Sequence, residues 1–274
     1  MKTSIFLFLL TITPFISRTQ TLHLILVSDY ENKDFGMISL KDEDIVGTMF
    51  KKVGIQIGYP LKTAYVNKNS PLGFTSEGVW AAVKDTSIHA KDIVIFYYSG
   101  FGVYTANNAL PSLKLDNNNL LSFSKYTELP RDDIASFLQT KAIKLGMVMA
   151  DCRNTMTNKY PTPLTRNTEV RADRSKEILK KLFLGESCRI LKIASSQKGK
   201  PVFAIQRNSV FTYSLTEALE DMLTTKNLQE VSLDKFLARI NTITKAFIPE
   251  YTGLSKVPMS CTNKVRTTNV RVTR

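Results

Sequence analysis

Four apolar runs constrain this chain more than any other feature: Leu22–Ser28 (LHLILVS), Asp92–Ser99 (DIVIFYYS), Leu145–Cys152 (LGMVMADC) and Ser187–Ser196 (SCRILKIASS). Each is too short for a core helix and too continuous for a strand with one wet face. Such runs suit strands buried on both sides, as in a parallel sheet covered by helices. Segments of helical spacing alternate with them: 40–54, which ends on Gly54; 75–87, opened by Thr75; 129–142, with Pro130 in its first turn; a short basic helix before Ser187; then 209–223 and 233–247. A further short strand is expected over Leu61–Asn67. The pattern predicts an α/β fold with a largely parallel sheet and helices on both faces. Expected connections are a small surface hairpin within the Asn-rich Tyr104–Asn119, a long loop over Arg153–Arg174, and an edge strand in the tail around 265–272. No internal repeat and no dividing linker is visible, and 274 residues suffice for one domain with a real core.

The N-terminus is set apart. Lys2 precedes the apolar Ser4–Ile16, and polar Ser17–Thr21 follows. A short basic start and an apolar stretch too short to span a bilayer predict a secretory signal peptide over residues 1–19, with 20–274 as the domain. The expected location is secreted or periplasmic, in the cell envelope. No other segment is apolar enough to span. The formal net charge is +13, or +11 without Lys2 and Arg18. Basic residues are scattered and show no interleaving with aromatics, so a solvated basic surface is expected, with no specific nucleic-acid partner. Three cysteines (Cys152, Cys188, Cys261) are too few for a disulfide scaffold, and one must be left over if Cys188 and Cys261 pair. Two histidines, His23 and His89, exclude a histidine-rich metal centre, and neither a metal nor a cofactor is expected.

Working loops in such sheets lie beyond the carboxyl ends of the strands. Two connections stand out there: Gly100-Phe101-Gly102 after Ser99, and Asp151-Cys152-Arg153-Asn154 after Ala150. Set between DIVIFYYSGFG and SVFTYSLTEALEDM, they resemble the caspase/metacaspase peptidases (family C14), and the similarity runs from LHLILVSDYENKDFG through the FTYSLTEAL helix. The resemblance implies a caspase-like (caspase–hemoglobinase) three-layer fold. It also implies the family's dyad, in which the His of Ser-Gly-His-Gly assists a Cys that follows Asp-x. An imidazole supplies the thiolate and later protonates the leaving amine.

At both loops this sequence departs from the pattern. Phe101 stands where the family has His, and it would fill the space of the imidazole. Aligned without a gap, Asp151 falls on the family's Asp and Arg153 on the nucleophile; shifted by one, Cys152 takes the nucleophile position. The gapless alignment is preferred because it keeps the strand, its Asp and Asn154 together. By the rise of a strand, His23 and His89 lie roughly 17 Å and 26 Å from the working edge. Neither can replace the missing base.

Three roles follow as expectations. The resemblance implies that Asp151 holds a basic substrate side chain, an internal salt bridge to Arg153 or a nearby Lys being the structural alternative, and that Asp29 and Glu31 line the pocket mouth, loop capping being theirs. The leading function is a degenerate caspase-like domain acting by binding a peptide or protein ligand, including an active homologue, with homodimerisation through an edge strand. The alternative is an active cysteine endopeptidase using Cys152 with an unconventional base such as Tyr97 or Tyr98. A surface-adhesive role for the basic face is the third.

Overall fold

A computed structural model describes residues 19–103, 110–117, 124–153, 172–185, 189–195, 208–247 and 255–260. Its order is β1 (Leu22–Ser28), α1 (Gly36–Ile57), β2 (Leu61–Val66), α2 (Ser76–Val83), β3 (Ile93–Val103), β4 (Ser112–Asp116), β5 (Tyr126–Leu129), α3 (Arg131–Thr140), β6 (Leu145–Arg153), α4 (Ala172–Leu184), β7 (Arg189–Ala194), α5 (Val210–Leu223), α6 (Leu233–Phe247) and β8 (Ser255–Ser260). The sheet runs β2-β1-β3-β6-β7-β8. Its first five strands are parallel, and β8 joins β7 antiparallel.

Strand alternation divides the core in two. Leu24, Ile95, Tyr97, Met147 and Met149 face α1, α4, α5 and α6 on one side. Ile25, Phe96, Tyr98, Val148 and Ala150 face α2 and α3 on the other. The result is the expected three-layer α/β fold, with every central strand buried on both faces. Among the described residues, no helix is long and apolar enough to cross a membrane.

Several boundaries differ from expectation, each for a physical reason. Helix α1 runs through Gly54 and stops at Gly58, whose φ of +79° supplies the left-handed C-cap that Gly54 was expected to provide. The hairpin of the Asn-rich region pairs β4 with β5, which lies beyond that region, and β4 also continues the ladder of β3. Among the described residues an antiparallel strand, Ser255–Ser260, pairs with β7, where the sequence reading placed no strand. Residues 1–18, 154–171, Cys188, Cys261 and 265–272 lie outside the described residues.

The largest correction concerns the two loops. Gly100-Phe101-Gly102 forms no turn: β3 stays extended to Val103, and β6 to Arg153, in parallel register. Neither glycine has a positive φ. They are there for close approach. A Cβ on Gly100 would stand 2.6 Å from the Tyr98 hydroxyl, and one on Gly102 2.5 Å from Cys152 Cβ.

Candidate functional site

The β3–β6 ladder arranges the carboxyl edge of the sheet. Ser99 is the register partner of Asp151, Gly100 of Cys152 and Phe101 of Arg153. Register partners in a parallel pair share a face, and successive residues take opposite faces. Phe101 and the backbone position of Arg153 therefore belong to the α1 face of the sheet, and Cys152 to the α2–α3 face.

Local sequence fixes what surrounds Phe101. After β1 the chain folds over Asn32, whose Oδ1 accepts from the amides of Asp34 (3.0 Å) and Phe35 (3.1 Å). This Asx turn launches α1 with Phe35 at its cap. Gly36 is required there, since a Cβ would stand 1.9 Å from the Tyr30 carbonyl oxygen. The Phe35 ring meets Phe101 edge-on, with centroids 5.4 Å apart at 80°, and Ile38 completes this small cluster. Lys114 Nζ lies 5.6 Å from the Phe101 centroid and 3.8 Å from that of Tyr126. At Phe101 the chain thus holds an aromatic ring packed on another, with an ammonium beside it.

Cys152 lies in different surroundings. It is 2% exposed and packs with Tyr98, Leu113, Leu115 and Ala150. The Tyr98 hydroxyl is 2.6 Å from the Phe101 carbonyl and 2.9 Å from that of Lys114, so it ties the end of β3 to β4 over this thiol. Tyr97 points to the other face, where its hydroxyl lies 2.7 Å from Thr212 Oγ1.

Asp151 has no solvent exposure. It shares its face with a buried polar layer beneath the sheet edge. Asp42 Oδ2 lies 3.4 Å from Ser99 Oγ, and its Oδ1 accepts from Ser209 N at 2.9 Å. Ser209 caps α5 by accepting from Thr212 N at 2.9 Å. A buried carboxylate at the opening of α5 is favoured by the unsatisfied amides and dipole of that terminus. Asp42 is the residue the sequence reading missed. The signal was present: Ile38, Asp42 and Val46 repeat every four residues, so the acid sits on the apolar stripe of α1.

Asp29 also lies at this edge, its amide donating to the Ser99 carbonyl at 3.0 Å. Burial holds its carboxyl above the usual carboxylate range, with Asp116 adding to the rise against Lys68 and Asn32. Lys68 pairs with Glu31 and lies 3.4 Å from Asp116, so Asp29 belongs to a mixed cluster of charges. The histidines lie at the far end of the sheet. His23 Nε2 is 3.2 Å from Asp92 Oδ2, which also accepts from His89 N at 2.8 Å.

Comparison with known proteins follows this geometry. The caspase-domain family model matches residues 39–268. No curated protein sequence matches. Among solved structures, a Geobacter sulfurreducens protein is similar at 12% identity, covering 88% of this chain and 93% of its own, with a TM-score of 0.46. Caspase-1 from Spodoptera frugiperda is similar at 11% identity, covering 88% of this chain and 86% of its own, with a TM-score of 0.42. On the family match, which spans most of its length, the chain belongs to the caspase-domain peptidase family, C14.

Proposed function

We propose that this caspase-domain chain has lost peptidase turnover and acts by binding a peptide or protein partner at the carboxyl edge of its sheet. One observation supports the reading: Phe101, read from the sequence as standing where the family has its histidine, lies on the opposite face of the sheet from Cys152. A thiol needs a base within hydrogen-bond reach to become a nucleophile near neutral pH. Both described histidines lie at the other end of the strands. The carboxyl edge of the sheet carries features suited to binding: the partly exposed Phe101 ring with the Lys114 ammonium beside it, and Asp29 after β1. The proposal includes export, which the basic and apolar N-terminal segment supports; N-terminal sequencing of the mature chain would check it.

The test is an assay of the purified chain against peptides carrying Arg, Lys or Asp before the scissile bond, alongside Cys152→Ser. No turnover is expected from either protein. Cleavage by wild type that Cys152→Ser abolishes would overturn the proposal in favour of an active endopeptidase. Binding is read separately by fluorescence anisotropy of uncleaved peptides, and Phe101→Ala should weaken it.

A further inference from the structure

A concavity opens beside the β1–α1 connection and the carboxyl end of β2. Its volume is about 490 Å³, and its walls include Tyr30, Glu43, Tyr65, Asn67, Pro71 and Leu72. That is room for one long side chain with space around it. The chemistry of the walls is unequal. Tyr65 offers an aromatic face that is 48% exposed, and Pro71 and Leu72 add apolar surface. Behind them stands Glu43, a carboxylate more than nine-tenths buried.

Glu43 lies on the apolar stripe of α1, next to Asp42, and has no ion-pair partner among the described residues. Its Oε1 accepts from the Tyr30 hydroxyl, which in turn accepts from Asn67 Nδ2 at 3.1 Å. Its Oε2 is buried without a hydrogen-bond partner, although Ser28 and Asn67 stand close enough to favour the charged form slightly. A buried carboxylate oxygen left in this way costs more than a satisfied one. Burial accordingly pushes the Glu43 carboxyl above the usual range. The last torsion of a glutamate side chain is soft, so a small rotation turns the carboxylate toward an incoming donor.

We infer that this cavity is a cation-binding pocket, in which Glu43 and the face of Tyr65 receive an alkylammonium or guanidinium group. A cation satisfies both features at once. It supplies donors to the buried carboxylate, and it gains from the aromatic face at the mouth. A neutral apolar group would gain the face alone and leave Oε2 as it is. An anion would meet a carboxylate and two phenolic rings. The group can come from a lysine or arginine side chain of a partner protein or from a free small amine; the chemistry is shared. Phe101, Lys114 and Cys152 are not among its walls, and its occupancy does not depend on whether Cys152 can cut.

The experiment is an amide NMR titration of the full chain with blocked lysine, blocked arginine, butylamine and blocked norleucine. The two blocked cations should shift the amides of Tyr65, Asn67 and Leu72. Blocked norleucine should bind about tenfold or more weakly, the loss of one charge-assisted bond. Butylamine equal to blocked lysine assigns the pocket to free amines, and weaker butylamine binding assigns it to protein side chains; either supports the pocket. Glu43→Gln should lose at least about tenfold in cation affinity. Because that change sits in the core, Tyr65→Ala is the surface companion, expected to lose about two- to fivefold for the cations only. Equal binding of norleucine and lysine would overturn the inference. So would cation affinity unchanged in both variants, or shifts confined to the β3 end around Phe101.

Discussion

The inert-thiol reading makes its sharpest demand on Cys152. Alkylation of this sulfur by iodoacetamide requires the segment Pro111–Leu115 to lift from β3, because Cys152 and Pro111 meet at Gly102. Lifting exposes Leu113 and Leu115, both fully buried, at about 1.5–3 kcal/mol each. It also breaks the Tyr98–Lys114 and Arg131–Pro111 hydrogen bonds and the short β3–β4 ladder, at about 1 kcal/mol per bond. The five released residues stay covalently held at both ends and regain about 1 kcal/mol of chain entropy each, the low end of the usual range, which offsets more than half of this. A net opening cost of about 3 kcal/mol slows labelling about 100-fold relative to a free thiol, at 1.4 kcal/mol per factor of ten. The assay follows the Cys152 peptide by mass spectrometry in native buffer and in denaturant. Gly102→Ala is the internal control. Its methyl would stand 2.5 Å from Cys152 Cβ and 2.9 Å from Pro111 Cβ, so it wedges the segment away and should speed native labelling. Native labelling of wild type within tenfold of a model thiol, or labelling that stays fast below pH 7, would refute the reasoning, since the second reports a stabilised thiolate.

Three further outcomes are expected. Arg131, wholly buried, donates from Nε to the Pro111 carbonyl (3.0 Å) and from Nη1 to that of Ile193 (2.9 Å), so Arg131→Met leaves two carbonyls without their donor and should cost about 2–5 kcal/mol in urea unfolding; a loss under about 0.5 kcal/mol would contradict this. Burial lowers the pKa of His23 below its usual 6.5 despite Asp92, so on acidification the unfolded chain takes up this proton first. Stability should fall as pH drops below about 6.5, by up to about 1.4 kcal/mol per unit until the folded pKa is passed, and His23→Gln should remove that slope; the raised carboxyls of Asp29 and Glu43 act in the opposite sense and remain in both proteins. The antiparallel β7–β8 ladder pairs Arg189 with Ser260, and Cys188 and Cys261, which adjoin these residues in sequence, lie outside the described residues. Protein made in an oxidising compartment should yield a linked Cys188–Cys261 peptide in a non-reducing digest, and two free thiols there would count against the pairing.

Much of the fold is legible in local pattern. Leu22–Ser28 and Leu233–Phe247 occupy the ranges their periodicity predicts, because apolar spacing and secondary structure agree there. Thr75 caps α2 as its residue type suggests, accepting from Gly78 N at 3.1 Å. The site is less legible. Gly100 and Gly102 look like turn residues in isolation, yet they remain extended because β6 and β4 supply ladder partners from elsewhere in the chain. Asp42 and Glu43 interrupt the apolar stripe of α1 with charge, and they are buried because α5, Tyr30 and Asn67 bring polar groups to them.

Residue types alone determined the layered α/β architecture and the aromatic ring at position 101, since hydrophobic period and residue identity are written in the chain. The packing of distant strands decided the rest: which face takes Cys152, what covers its sulfur, and which carboxylates leave water. The physical reason is that a strand's pleat fixes the alternation of faces, while only its neighbours across the sheet fix what each face meets.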